Sequence, residues 1–173
     1  GHDMSLGEAS WFGLFHAISA YNNAGFGLRA DSMMGFAGDP LILGGIAAAI
    51  LIGGLGLPVL WDLRANRARS TAPGGRLRWS LHTRITVAGS LVLLAIGWAA
   101  TLAFEWSGAL GGMAIGDKIV NGAFYSVSLR TAGFNNFAMD HLSDATMTVS
   151  SVLMFIGAGS ASTGGGIKVG TAV

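Results

Sequence analysis

The sequence contains no cysteine, which excludes a disulfide framework, thiolate metal sites and thiol catalysis. Charge is almost as scarce. Only 11% of its 173 residues are Asp, Glu, Lys or Arg, against about 25% in an ordinary soluble domain. A water-soluble surface is hard to build from so few charges. Net charge is +1, so no nucleic-acid partner is indicated. The histidines, His2, His16, His82 and His141, show no ligand spacing for a metal. No Ser/His/Asp arrangement is identifiable. The chain is therefore read as not an enzyme, with no cofactor of its own. No signal peptide is read at the start either, because Gly1-His2-Asp3-Met4 lacks a basic segment followed by an apolar core.

What the chain does have is apolar length. Hydrophobic residues make up 51% and glycine fills 28 positions; mean hydropathy is +0.57. Leu41–Leu60 and Ile85–Phe104 are each 20 residues without a charge, and Ala145–Ile167 is 23. A helix needs about 20 apolar residues to cross the hydrocarbon core. One such stretch could be a buried helix of a soluble protein. Three in a chain so poor in charge favour membrane spans, and the third is badly interrupted by glycine.

Six of the ten basic residues, Arg64, Arg67, Arg69, Arg76, Arg78 and Arg84, fall between the first two stretches, opposed there only by Asp62. The positive-inside rule puts residues 61–80 in the cytoplasm. Trp61, Trp79 and Trp106 lie where headgroup-level rings are expected. Pro40 suits the first turn of a helix, and Pro58 is placed to end or bend the first span. The first span then runs inward, the second outward and the third inward, so Lys168 approaches the cytoplasm. Residues 1–39 and 105–144 lie outside. Each carries a short apolar segment, Ala9–Tyr21 and Ile119–Leu129, of the length common in re-entrant helices.

The chain repeats itself. Asn23-Ala24-Gly25-Phe26 aligns with Thr131-Ala132-Gly133-Phe134. Each copy follows a short apolar segment and precedes an inward span. The predicted fold is an all-α integral membrane protein of span–pore-loop–span repeats, with re-entrant pore helices and a broken third spanning helix. Residues 5–60 give the pore loop and second span of one repeat, 61–80 the basic cytoplasmic loop, and 81–173 the span, pore loop and broken span of the next repeat.

A dehydrated cation needs a ring of oxygens, and potassium filters build it from backbone carbonyls on a narrow extended chain. Glycine can adopt positive φ and aim such carbonyls. Irregular backbone at membrane depth must be buried in protein or line water. A plain surface loop would meet this condition poorly twice over. The expected filter residues are Asn22, Asn23, Ala24, Gly25 and Phe26 in one turn, and Arg130, Thr131, Ala132, Gly133 and Phe134 in the other. Phe26 and Phe134 are expected to pack outward and hold the chain's width. Arg130 is expected to act as a clamp behind the filter, with Glu105, Asp140 or Asp144 as partner; a cation facing the ion would repel it. Asn22 and Asn23 are expected to brace the first turn rather than face the ion entrance.

The run Gly157, Ala158, Gly159, Ser160, Ala161, Ser162, Thr163, Gly164, Gly165, Gly166 is a poor helix, since each glycine costs up to about 1 kcal/mol against alanine. Close helix packing favours small residues, but three consecutive glycines exceed that need. A loop beneath the filter that acts as a gate is the expectation. Lys168 marks the inner end of the span, or contacts the loop or a regulatory subunit. A phosphate loop is excluded because Gly166 is followed by Ile167, and a dinucleotide fingerprint because Ser162 stands where glycine is needed.

These residues resemble the superfamily of bacterial Trk and Ktr potassium transporter membrane subunits. The matching pieces are Ser19 through Phe26, Gly53-Gly54-Leu55-Gly56-Leu57-Pro58, Arg130 through Asn135, and Gly157 through Lys168. The resemblance implies four repeats around one pore, with Gly25 and Gly133 as two of its filter glycines. It implies that this chain holds the later part of the second repeat and most of the third, and is a fragment. Potassium is then the substrate, bound by backbone carbonyls. A homodimer of the full-length protein, membrane lipid and a cytoplasmic nucleotide-binding regulatory subunit are the implied partners. The implied location is the plasma (inner) membrane, multi-pass. A sodium-permeable relative and a non-conducting membrane scaffold are the alternatives.

Overall fold

The computed structural model describes residues 4–70 and 79–172. The first three residues and residues 71–78, including Arg76 and Arg78 of the basic segment, lie outside the described residues. In chain order the helices are α1 (Leu6–Tyr21), α2 (Pro40–Leu55), α3 (Leu57–Ser70), α4 (Leu81–Glu105), α5 (Ile115–Ser128), α6 (Asp144–Phe155) and α7 (Val169–Ala172). Among the described residues there is no strand, only an isolated bridge between Ile156 and Ile167.

α4 shows which solvent this chain is built for. It buries Thr83, Thr86, Ser90, Gly97, Thr101 and Glu105, and exposes Leu91, Val92, Ile96 and Phe104. A water-soluble helix does the reverse. Small and polar residues facing neighbouring helices, with large apolar ones outward, is the arrangement lipid favours. α4 is also the one described helix long and apolar enough to cross a membrane by itself. It packs on α5 and α6, and α1 and α2 pack on each other. Gly97 lets Ser126 approach, Gly122 faces Leu102 and Trp98, and Ser126 Oγ donates to the Leu94 carbonyl at 2.7 Å.

The first apolar stretch departs from expectation. The expected span runs to Leu60, with Pro58 placed to end or bend it near its inner end. α2 instead stops at Leu55, and α3 leaves it at 97°. The hinge is Gly56, at φ +88, a conformation that favours glycine. A methyl there would overlap the Ser160 carbonyl oxygen. Pro58 merely occupies the first turn of α3, where its missing N–H costs little. α2 alone, at 16 residues, is about 24 Å long. The segment from residue 61 is correspondingly not a plain loop: it is helical as far as Ser70. Asp62 ties it to α4 by accepting from the Ser80 N–H at 2.9 Å.

Local signals account for the helix starts. Ser5 and Glu8 form a reciprocal capping box on α1, which extends it three residues before the expected Ala9. Asp39 Oδ1 accepts from the N–H groups of Leu41 and Ile42 at 3.0 and 3.2 Å, ahead of Pro40 at the first helical position. Asp39→Ala removes this cap and is expected to destabilise the complete protein by about 1 kcal/mol. The check is the melting temperature of the purified protein in detergent, and an unshifted value would show that the cap contributes nothing.

Candidate functional site: two turns and a glycine-rich loop

Two helices, α1 and α5, each deliver the chain into a tight turn. The backbones of these turns match. Asn23 and Gly25 have φ of 51 and 70, and Thr131 and Gly133 have φ of 72 and 77, while the alanine between each pair stays on the ordinary side. Left-handed conformation costs an ordinary residue roughly 1–2 kcal/mol, and a β-branched Thr131 there is a genuine outlier. Alternation of this kind turns successive peptide planes so that their carbonyls can share one direction.

Each turn is also closed in the same way. Ser19 Oγ donates to the Phe26 carbonyl at 2.8 Å, and Ser128 Oγ to the Phe134 carbonyl at 2.6 Å. The turns meet face to face. A methyl on Gly25 would overlap the Ala132 carbonyl oxygen, while one on Gly133 would stand 3.9 Å from Gly25 Cα. Just beyond, the Met33 N–H donates to the Asn135 carbonyl at 2.8 Å, and the Asn135 N–H to Ser32 Oγ at 3.1 Å.

Supporting residues brace the turns from behind. His16 is 2% exposed. Its Nε2 accepts from the Leu28 N–H at 3.4 Å, so its Nδ1–H donates to the Phe12 carbonyl at 2.8 Å. Asn136 Nδ2 donates to Asn121 Oδ1 at 2.9 Å, and Asn121 Nδ2 to the Ala37 carbonyl at 2.7 Å. Sequence reasoning missed these three; the signal for His16 was an isolated polar ring in an apolar helix. No group of His, Asp and Glu suited to a metal occurs among the described residues.

The helix of the third stretch ends at Phe155, and irregular backbone runs to Lys168. This loop folds on itself: Gly157 N–H donates to the Ile167 carbonyl at 2.9 Å and Ile167 N–H to the Phe155 carbonyl at 3.0 Å. Lys168 Nζ donates to the Gly164 carbonyl at 2.6 Å. The loop also lies on the α2–α3 hinge. Gly159 N–H donates to the Gly54 carbonyl at 2.8 Å, and Leu57 N–H to the Ala161 carbonyl at 3.3 Å. Backbone this close leaves no room for side chains; a methyl on Gly159 would overlap the Leu55 carbonyl, and one on Gly53 the Tyr21 carbonyl.

The loop reaches both turns. Asn23 Nδ2 donates to Thr163 Oγ1 at 2.7 Å, and Thr163 Oγ1 to the Tyr21 carbonyl at 2.8 Å. Gly165 N–H donates to Thr131 Oγ1 at 3.1 Å. Asn22 turns back instead onto its own helix, donating to the Ile18 carbonyl at 2.9 Å.

One expected arrangement is corrected. Among the described residues Arg130 has no acidic partner. It is 8% exposed, and its Nη2 donates to the Gly157 carbonyl at 3.0 Å. Glu105, one of three candidate partners with Asp140 and Asp144, is taken up elsewhere: it accepts from the N–H and Oγ of Ser143, from Thr146 Oγ1 and from the Ala109 N–H. Arg130 therefore links the second turn to the loop, with no ion pair of its own among the described residues. The two phenylalanines also differ. Phe134 is 1% exposed, packed among His16 and Ala20 of α1 and Phe124 and Val127 of α5, whereas Phe26 is 70% exposed beside α1.

Behind the turns, Asn23, Ser90 and Arg130 share a cavity of about 220 Å³ with apolar residues of α2 and α4, including Ile50, Leu51, Leu91 and Leu94. Asn23 Oδ1, Ser90 Oγ and Arg130 Nε have no hydrogen-bond partner among the described residues.

The chain is similar to known proteins over most of its length. The family model TrkH, described as a cation transport protein, matches residues 5–173. Ktr system potassium uptake protein B of Bacillus subtilis is 43% identical over 160 residues, covering 91% of this chain and 34% of that protein. The protein of the same name from Vibrio alginolyticus is 37% identical over 171 residues, covering 98% and 36%. Potassium/sodium uptake protein NtpJ of Enterococcus hirae is 32% identical over 171 residues, again covering 98% and 36%. The chain thus spans about a third of the length of these curated relatives.

Proposed function

The chain belongs to the TrkH family of cation transport proteins, and from that premise we propose that it is part of the pore-forming subunit of a potassium uptake system. It is a helical membrane protein, and the relatives it matches are transporters by name. In this proposal Gly25 and Gly133 carry two strands of a carbonyl-lined filter. The stretch from Gly157 to Lys168 is an intramembrane gate, and the chain crosses the inner membrane several times with residues 61–80 inside.

The observation that carries the proposal is the matched alternation of φ in two turns 108 residues apart that meet glycine to glycine. Nothing in a plain surface loop asks for that strain twice, and left-handed residues gather where backbone geometry serves function. Two strands do not enclose an ion, so further strands must complete the ring. The exposed Phe26 marks one face on which they would pack. The name shared by two relatives, a Ktr system protein, supports a regulatory partner on the cytoplasmic side; a homodimer of the complete protein and surrounding lipid complete the assembly.

The complete open reading frame carrying this chain is expected to restore growth of a potassium-uptake-deficient bacterium at low potassium. Normal membrane expression without rescue would sink the transport proposal. Rescue abolished by equimolar sodium would favour the sodium-permeable alternative.

A further inference from the structure

We infer that Thr163 of the glycine-rich loop sets ion discrimination, because the loop holds the filter turns in their strained conformation as well as lying beneath them. The inference rests on the filter proposal and goes beyond it: an obstructing loop would change how much passes and leave the choice of ion alone.

Each turn contains one non-glycine residue at positive φ, Asn23 at 51 and Thr131 at 72. Both are tied by their side chains to the loop, Asn23 to Thr163 and Thr131 to Gly165. Donor counting fixes the first tie. The single hydroxyl hydrogen of Thr163 goes to the Tyr21 carbonyl at 2.8 Å, so Thr163 must accept from the Asn23 amide, which orients Nδ2 toward the loop. Thr163 therefore satisfies the last carbonyl of α1 and the first strained side chain of the turn together. Its own N–H donates to the Gly53 carbonyl at 3.3 Å, so it is anchored on α2 as well.

On the second turn the loop is pressed flat. A methyl on Gly164 would overlap Ala158 Cβ and stand 2.8 Å from Thr131 Oγ1. Arg130, next to Thr131, holds Gly157 at the start of the loop. Withdrawal of the loop breaks every one of these ties. Asn23 and Thr131 then lose the partners that hold them left-handed, and the carbonyls flanking Gly25 and Gly133 turn out of line. Loop displacement and loss of selectivity are one event, and filter occupancy by the preferred ion in turn holds the loop shut.

The test uses the complete protein in liposomes, with potassium and sodium influx measured separately. Thr163→Val keeps the volume and removes both hydrogen bonds. It is expected to raise total flux several-fold and lower the potassium-to-sodium ratio about tenfold, while Thr163→Ser stays near the parent in both. A rise in flux with an unchanged ratio, or no change in either, overturns the inference. Gly133→Ser in the same assay separates the two levels: if it alters the ratio and Thr163→Val does not, the filter stands and the coupling fails. A second readout does not depend on Thr163→Val folding. In a cysteine-free background, Ala161→Cys on the exposed part of the loop is expected to be alkylated several-fold more slowly in potassium than in sodium. Equal rates would also overturn the coupling.

Discussion

Gly25→Ala is expected to abolish transport by the complete protein, whereas Gly133→Ser is expected to leave it assembled and to erode its preference for potassium. The two glycines occupy matching places in the repeat, and the difference lies in what surrounds them. Both have positive φ, 70 and 77, so any side chain costs roughly 1–2 kcal/mol at either place. At Gly25 the added methyl also meets the Ala132 carbonyl oxygen. That oxygen cannot retreat by itself, because Ala132 sits between Thr131 and Gly133, both already left-handed. One turn must then be displaced from the other. At Gly133 the nearest outside atom to the new Cβ is Gly25 Cα at 3.9 Å, so serine fits. Its effect is confined to the tilt of the neighbouring carbonyls and to a hydroxyl added beside them. A tenfold fall in the potassium-to-sodium ratio is the expected size, which is about 1.4 kcal/mol of discrimination. Separate influx assays on protein shown to reach the membrane decide both. Normal transport by Gly25→Ala, or an unaltered ratio for Gly133→Ser, would remove the filter assignment.

The contrast between these glycines could not be read from sequence, although their equivalence could. Charge-free length located the helices well because lipid tolerates few charges, so α4 emerged within four residues of its expected ends. Composition failed at Gly56. Its neighbours are as apolar as any span, and the break depends on the Ser160 carbonyl arriving from more than a hundred residues away. The same holds for Thr163. Its place in a glycine-rich run suggested an irregular loop, but its partners Tyr21 and Asn23 are brought to it by the packing of α1 on α2 and of the loop on the end of α2. Arg130 failed for another reason. Counting nearby acids assumes that a buried cation is paired with one, whereas a carbonyl of the loop took that place and Glu105 was engaged by Ser143, Thr146 and Ala109.

Glu105→Ala is expected to give the largest loss of stability, about 3 kcal/mol, with no direct effect on ion choice. The carboxylate is 1% exposed. It gathers donors from two elements at once, the Ala109 N–H after α4 and the Ser143 and Thr146 groups at the start of α6. Hydrogen bonds to a charged group each contribute about 1.5–3 kcal/mol, and the donors left behind are costly to bury. The negative charge also suits the N-terminal end of α6. Glu105→Gln keeps the shape but aims an amide at the donors, so it should recover only part of the loss. A double-mutant cycle with Arg130→Met decides between the two placements of this carboxylate. Were Glu105 the counter-ion of Arg130, removing both would cost much less than the sum of the single losses. With Glu105 bound to the α6 cap and Arg130 to Gly157, the two share no partner, and their losses should add to within about 0.5 kcal/mol. Melting temperatures of the four purified proteins provide the cycle, and a coupling well above that limit would restore the ion pair and displace the loop contact now assigned to Arg130.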